Sequence, residues 1–343
     1  MTKFRFISLV LFSLFLAISA CFLFYQNELK SPLNLPASTL VLEIKKGDSL
    51  NKVIHNLTET KVLSFPLIAK LYAREKKLSN NIKAGEFLLE KGMTIPNLFE
   101  LITSNKQITY NIQFIEGSTF KQFKQVLSAS PKLIKHLNGK SDADILKTLN
   151  LGADIRHLEG QFYPDTYTFE KNDSDIDILK RAHQRLKAIL EKEWSNKDKT
   201  LPLKTPYEAL ILASIIEKET GAAHERDEIS GVFIRRLNKN MRLQTDPTVI
   251  YGLGDRYDGN LTRKHLQEKT AYNTYRMKGL PPTPIAMVGQ AAIHAAVNPK
   301  VGNSLYFVAK GDGTHQFSET IQAHNKAVRA YQLKRREGYR STQ

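Results

Sequence analysis

Leu210-Ile-Leu-Ala-Ser-Ile-Ile-Glu217-Lys-Glu219-Thr-Gly221 is the stretch whose reading decides the fold. Just ahead of it, Thr205 is placed to cap a helix, Pro206 suits the first helical position and Glu208 completes a capping box. Gly221 supplies a stop. Residues 209–216 are apolar on nearly every side, interrupted only by the small Ser214. A helix without a polar face belongs inside a core, so this segment is expected at the centre of a domain. Its last turn carries two carboxylates. At helical spacing Glu217 falls between Ala213 and Leu210, and Glu219 near Leu212 and Ile215, about 160° apart. They cannot act as a pair. Apolar neighbours raise a carboxyl pKa towards what a general acid needs. A helix end turning polar as it reaches water has the same composition, and the residues alone leave both readings open.

Outward from this helix, 343 residues allow two or three domains. With 41% hydrophobic and 24% charged residues, the chain has the composition of a folded protein rather than a disordered one. A net charge of +16 asks for an acidic partner: nucleic acid, anionic lipid headgroups or an acidic wall polymer. The single cysteine, Cys21, excludes an intramolecular disulfide and a cysteine-based zinc site.

The N-terminus chooses among the partners. Phe6–Tyr25 is twenty residues without a charge, long enough to span a bilayer core. Lys3 and Arg5 before it predict a cytoplasmic N-terminus (residues 1–5), a single pass through the inner (plasma) membrane over 6–25, and an extracytoplasmic body. A cleaved signal peptide is the rival, and Ile18-Ser-Ala-Cys21 is similar to a lipoprotein box with Cys21 as the lipidated residue. The apolar run continues through Phe22-Leu-Phe-Tyr25, longer than a signal core, and favours an uncleaved anchor. Export leaves membrane lipid and wall polymer as partners and removes nucleic acid.

Residues 26–40, with Pro32 and Pro36, read as a linker. Residues 41–106 follow as a strand from Val41, a turn at Gly47-Asp48 with a capped helix start at Ser49-Leu50, a helix over Phe65–Glu75, a strand over Lys83–Glu90 and a helix over Thr94–Ser104. This order resembles a LysM-type wall-binding module; a small α+β spacer without a ligand has the same pattern. An intermediate α+β region spans 107–200: a strand at Ile108–Phe114, helical residues 118–150, and a long amphipathic helix over Asp173–Lys199. Between them Phe162, Tyr163, Tyr167 and Phe169 form an aromatic strip, suited either to stacking on sugar rings or to a core edge. The region 201–343 holds the central helix, a helix over Arg226–Lys239, Asp246 as an N-cap before Pro247, a proline loop at Gly279–Pro284, and a small-residue helix at Gly289–Val297. A buried-looking strand at Leu305–Ala309, a Gly311-Asp-Gly313 turn and a last helix capped by Ser318 and running to about Lys334 complete it. The expected fold class is therefore α+β: an N-terminal transmembrane helix, a small LysM-like α+β module, and a mixed α+β catalytic domain.

Cofactor chemistry finds no foothold. The nine histidines form no His-Glu-x-x-His and no metal-ligand spacing. Gly252-Leu-Gly254 lacks the third glycine of a dinucleotide loop, and neither Gly-x-Ser-x-Gly nor a phosphate-cradling Gly-Lys-Ser/Thr occurs. No metal and no cofactor is expected. Carboxylates and aromatics on an exported, basic protein suit carbohydrate chemistry.

With these residues laid out, a resemblance covers essentially the whole chain. Ala213-Ser-Ile-Ile-Glu-Lys-Glu-Thr220, Arg242-Leu-Gln-Thr-Asp-Pro-Thr-Val-Ile-Tyr-Gly252, Tyr272-Asn-Thr-Tyr275, Gly279-Leu-Pro-Pro282 and Leu305-Tyr-Phe-Val-Ala309 resemble the YceG-like family. One departure is Thr283, where the family pattern has a glycine-type small residue after the double proline. The resemblance implies a membrane-anchored lytic transglycosylase that cleaves β-1,4 bonds between N-acetylmuramic acid and N-acetylglucosamine within peptidoglycan glycan strands. It also implies 1,6-anhydromuramyl ends, and peptidoglycan synthases as partners. It selects Glu217, not Glu219, as the catalytic acid and base. Glu219, Gln244, Asp246, Asn273 and Tyr275 are implied as substrate-binding positions.

Overall fold

The computed structural model describes residues 2–152 and 155–333. The chain begins with α1 (Thr2–Lys30), followed by β1 (Thr39–Ile44), α2 (Leu50–Glu59), α3 (Pro66–Glu75), β2 (Gly85–Glu90) and α4 (Ile95–Thr103). Then come β3 (Thr109–Gln113), α5 (Phe120–Ala129), α6 (Asp142–Leu149), β4 (Thr166–Glu170) and α7 (Asp175–Ser195). The remainder is α8 (Pro206–Glu219), α9 (Arg226–Asn238), α10 (Asp246–Leu253), α11 (Arg263–Gln267), α12 (Gln290–Val297), β5 (Tyr306–Ala309), β6 (His315–Ser318) and α13 (Ile321–Val328). Strands pair as β1–β2, β3–β4 and β5–β6. This is the mixed α+β architecture expected, with an apolar helix at the N-terminus.

The chain divides into two compact units, Met1–Tyr110 with Thr168–Asn172, and Asn111–Tyr167 with Asp173–Gln343. In the N-terminal unit, β1 and β2 run antiparallel with Thr39 opposite Glu90 and Ile44 opposite Gly85. Ser49 caps α2 and Thr94 caps α4, each by accepting an N–H of the first helical turn. Phe87, Leu89, Val53, Ile54, Leu98 and Phe99 fill the core beneath them. Lys171 is held at 2.8 Å from Glu43 and 2.9 Å from Glu86, which ties the Thr168–Asn172 segment to both strands.

The linker expected over residues 26–40 is docked instead. Helix α1 continues to Lys30, and Tyr25 and Leu29 pack against the core. Pro32 then bridges to Thr94, Leu33 is buried, and its N–H donates to the Met93 carbonyl. The prolines end the helix, as anticipated, but Leu33 and Leu35 carry enough apolar surface to hold the chain on the module.

In the C-terminal unit α8 lies at the centre of the core. Ala209 through Ile216 are buried without a break, packed against α7, α9, α10 and α12. Thr205 caps the helix by accepting the Glu208 N–H, while the Glu208 carboxylate accepts the Lys204 N–H rather than closing the box onto Thr205. The helix ends at Glu219, with Thr220 following it and no role left for Gly221. Ser214 explains itself in three dimensions. Its hydroxyl donates to the Ile211 carbonyl at 2.7 Å and accepts the Ile285 N–H at 2.9 Å. One small polar atom thus ties the core helix to the proline loop.

That loop also accommodates Thr283, the residue departing from the family pattern. Thr283 is buried, donates to the Pro284 carbonyl at 2.8 Å and pairs with the Tyr272 hydroxyl at 2.8 Å. Phe162, Tyr167 and Phe169 are buried, so the aromatic strip serves cores; Tyr163 is half-buried beneath the Arg185 guanidinium.

Three boundaries differ from expectation. Asp246 is the first residue of α10, with Thr245 at the cap position, because the Asp246 carboxylate is drawn to Tyr275. The last helix is capped by Thr320, and Ser318 closes β6 opposite Tyr306. In the strand expected to be buried at Leu305–Ala309, only Val308 is buried. The last helix passes into a π-helical turn over Arg329–Leu333, and the basic run from Lys334 lies outside the described residues.

Replacing Ser214 by alanine leaves the buried Ile285 N–H without an acceptor, which costs about 1–3 kcal/mol. Thermal or urea unfolding of Ser214→Ala should show that loss; an unchanged midpoint would mean the loop is held by other contacts.

Candidate active site

The end of α8 delivers its two carboxylates into separate surroundings. Glu217 turns towards the start of α12, where the Gly289 N–H donates to its Oε2 at 3.0 Å. Its side chain is 6% exposed, and the Arg226 guanidinium at the start of α9 lies 3.6 Å from its Oε1. A second carboxylate arrives from a distant part of the chain. The Glu116-Gly117-Ser118 turn is locked to the same strand of backbone: the Gly117 N–H donates to the Met287 carbonyl at 2.9 Å, and the Met287 N–H to the Ser118 carbonyl at 2.8 Å. Glu116 is thereby laid against Gly289, so closely that a Cβ on Gly289 would fall 1.9 Å from its Oε1. Lys218 completes the group by donating to the Gly117 carbonyl at 3.2 Å. Two acids, Glu217 and Glu116, converge on one glycine.

The balance of these neighbours raises the Glu217 pKa. Burial is the largest cause, and the Glu116 charge adds to it. The Gly289 N–H, Arg226 and Lys218 pull the other way without reversing the shift. Arg226 also lines a cavity of about 470 Å³ with Glu193, Ala223, Asp227, Gln290, Ala291 and His294. Glu217 does not itself line this cavity; Arg226 is the side chain the two share. On the cavity wall Glu193 accepts from the Gln290 amide and from His294 Nδ1, each at 2.9 Å. Burial opposes ionisation of Glu193, but these two hydrogen bonds outweigh it and hold the carboxyl below its ordinary range.

Glu219 faces another set of residues. It accepts a hydrogen bond from the Thr245 hydroxyl, and burial pushes its carboxyl up to about 7, assisted by the Asp246 charge and opposed by Arg236. Around it stand three of the residues expected in the site. The Tyr275 hydroxyl donates to Asp246 Oδ1 at 2.6 Å, and Arg236 Nη1 reaches Gln244 Oε1 at 3.4 Å. Arg236 is buried, with further bonds to the carbonyls of Leu243 and Leu305, each at 2.7 Å. Asn273 is fully buried: its amide donates to the carbonyls of His265, Leu266 and Glu268, and its oxygen accepts the Tyr275 N–H. It holds the loop that presents Tyr275. Glu219, Gln244, Asp246 and Tyr275 therefore gather on one side of α8, and Glu217 stands on the other with Glu116, Arg226 and Gly289.

Sequence reasoning passed over Glu116, Arg226, Gly289 and Glu159. Nothing local to residue 116 points to residue 289. Glu159 is buried, accepts the Phe120 N–H at 3.0 Å and the Tyr251 hydroxyl at 3.2 Å, and is pushed up to about 7 by burial.

Over residues 42–330 the chain matches the YceG-like family, and it belongs to that family. It is 31% identical to a protein of Bacillus subtilis named endolytic murein transglycosylase, the match covering 92% of this chain and 91% of the relative. A Streptococcus pneumoniae protein of the same name is 26% identical over 89% of this chain, which spans 61% of that longer relative. Among solved structures, a yceG-like protein from Listeria monocytogenes is 31% identical and superposes with a TM-score of 0.54, covering 84% of this chain and 98% of the other.

Two titrations test this electrostatic picture. The unfolded chain releases the Glu159 proton in the ordinary carboxyl range, whereas the folded chain keeps it to about 7. Between those limits the folded state binds more protons, so stability falls as pH rises and levels off above 7. Glu159→Gln should lessen that loss by on the order of 1–3 kcal/mol, leaving the share of Glu219, which is raised over the same range; the thermal midpoint followed from pH 4 to 8 reads it. Separately, Glu116→Gln should move the carbon-13 carboxyl titration of Glu217 downwards, since a charge that disfavours ionisation is gone. A shift upwards would contradict the arrangement at Gly289.

Proposed function

We propose that this chain is a membrane-anchored endolytic murein transglycosylase, cleaving β-1,4 bonds between N-acetylmuramic acid and N-acetylglucosamine within glycan strands. The observation that carries the reading is Glu217 itself: a buried carboxyl with a raised pKa, beside a cavity, in a YceG-like chain whose relatives bear that name. Glu217 donates its proton to the glycosidic oxygen as the bond to C1 of the muramyl residue breaks. The carboxylate left behind removes the proton of the muramyl C6 hydroxyl, whose oxygen closes on C1 to give the 1,6-anhydro ring. The proton is back on Glu217 at the end and no water is consumed. Arg226 and the Gly289 N–H hold the carboxyl in place and stabilise it while it is ionised, and burial favours its return to the acid.

Helix α1 has the length and apolarity of a single membrane pass, and the basic residues before it favour a cytoplasmic N-terminus with an extracytoplasmic body. Such an anchor keeps the enzyme near nascent glycan and its synthases, as a terminator of strand growth. The β1–α2–α3–β2 order and the paired strands support reading residues 41–106 as a LysM-like module.

A second reading, a lysozyme-like hydrolase on the same bonds, is favoured by one observation. Glu116 beside Glu217 supplies the second carboxylate that water activation needs. Product analysis separates the two. Tyr25 and Leu29 pack in the core of the N-terminal unit, so the protein to use is the full chain in detergent micelles. Digestion of purified peptidoglycan should yield anhydromuramyl ends, and Glu217→Gln should lower the rate by at least about a hundredfold with its fold retained. Reducing muramyl ends would mean hydrolysis. Loss of activity in Glu219→Gln but not in Glu217→Gln would transfer the acid to the opposite side of α8. Wall binding without products from the parent protein would leave a scaffold.

A further inference from the structure

Helix α3 carries an amphipathic face that the core of its unit does not use. Ile68, Ala69 and Ala73 are buried, whereas Leu67 is 72% exposed, Leu71 56% and the preceding Phe65 42%. Lys70 and Arg74 are exposed on the same side. The spacing 67, 70, 71, 74 is one helical stripe, alternating large apolar and basic side chains. Single exposed leucines are ordinary, but apolar anchors interleaved with cations on one helix face are the composition of a helix lying in a lipid–water interface.

The position of α1 says which surface covers this face. The Phe24 ring meets the Phe65 ring edge-on at 5.2 Å, and the Tyr25 hydroxyl donates to Glu75 Oε2 at 3.0 Å. Phe65 precedes α3 and Glu75 ends it, so two successive residues of α1 touch both ends of a helix about 15 Å long. Helix α3 therefore crosses α1 rather than running along it, at the level of residues 24–25. Those residues end the uncharged run that starts at Phe6, which at about 1.5 Å per residue spans a hydrocarbon core of about 30 Å. Tyrosine at that depth is the usual interface residue. A helix crossing the anchor at this level lies along the bilayer surface.

Resting on the reading of α1 as a membrane anchor, we propose that Phe65, Leu67 and Leu71 insert into the outer leaflet beside α1, with Lys70 and Arg74 at the anionic headgroups. The small module is then a peripheral membrane element in its own right. Its apolar contact is continuous with the anchor through Phe24 and Phe65, and the aliphatic stems of Lys70 and Arg74 cover the edge of the patch while their charges stay in water.

Cys21 is the chain's one cysteine, so in a Cys21→Ser background single nitroxide labels can be placed at Phe15→Cys, Leu67→Cys and Asn51→Cys. Phe15 is on α1, and Asn51 is exposed on α2 of the same unit. The full chain is reconstituted into phosphatidylcholine vesicles containing phosphatidylglycerol, and collisions with lipid-soluble oxygen and a water-soluble nickel chelate are measured by spin resonance. Labels at 15 and 67 should gain oxygen collisions and lose nickel collisions relative to 51. A label at 67 behaving like 51 while 15 sits in lipid overturns the inference and leaves the anchor standing. A water-exposed label at 15 removes the anchor and the inference with it.

Discussion

A helix buried along eight consecutive residues must be covered on every side, and α8 imposes that requirement on the whole C-terminal unit. Ala209–Ile216 are enclosed by α7, α9, α10 and α12. Each large side chain in that run contributes about 1.5–3 kcal/mol through burial. Backbone groups are satisfied within the helix, so Ser214 is the one side chain able to bond outside it, and it does so at Ile285. The constraint ends abruptly at Ile216. Beyond it the helix emerges among polar neighbours, and two carboxylates two positions apart leave in nearly opposite directions. One element thus generates two polar centres that share no partner among the described residues.

The two centres differ in how they treat a proton. Both Glu217 and Glu219 are raised by burial, but their immediate contacts are unlike. Glu219 is pinned by the Thr245 hydroxyl within a group that also links Asp246, Tyr275 and Arg236, and this ties α9, α10 and the 272–275 loop to the end of α8. Glu217 is held by one backbone N–H and a guanidinium at a looser 3.6 Å, with an acid rather than a hydroxyl for a neighbour. A carboxyl that must give up and recover a proton within one turnover is better served by the second setting. The first holds one geometry.

Much of this was legible in the chain. The unbroken apolar run with Thr205 and Pro206 ahead of it located α8, and helical spacing alone separated Glu217 from Glu219. The capped start at Ser49, the long amphipathic α7, and the strand at Leu305–Ala309 with its turn at Gly311–Gly313 followed from turn chemistry and periodicity. What was not legible has a common cause. Glu116 meets Gly289 through a turn closed against Met287, a contact 173 residues apart in sequence that leaves no local signature. Asn273 was expected at the substrate because the family resemblance implied it, yet its amide is consumed by the carbonyls of His265, Leu266 and Glu268. Residues 26–40 read as a linker because prolines and polar groups dominate them, while the decisive Leu33 is a single buried side chain. Caps shifted by one residue at Asp246, whose carboxylate is taken by Tyr275, and by two at Ser318, which closes β6 instead.

The continuation of α1 into the core of the N-terminal unit bears on how such chains can be rearranged. An address tag that only tethers is exchangeable: another anchor, or a secretion signal, can be spliced in at the point where apolar residues give way to polar ones. Here that point, after Tyr25, falls inside a helix whose next turn packs Leu29 against the module, followed by Leu33 in its interior. A crossover there would import a foreign helix end into a fitted interior. Recombination that respects the fold has to cut earlier, within the exposed part of α1, or take the module along with α1. On the proposed reading of α1 as an anchor, targeting and folding are then inherited as one block.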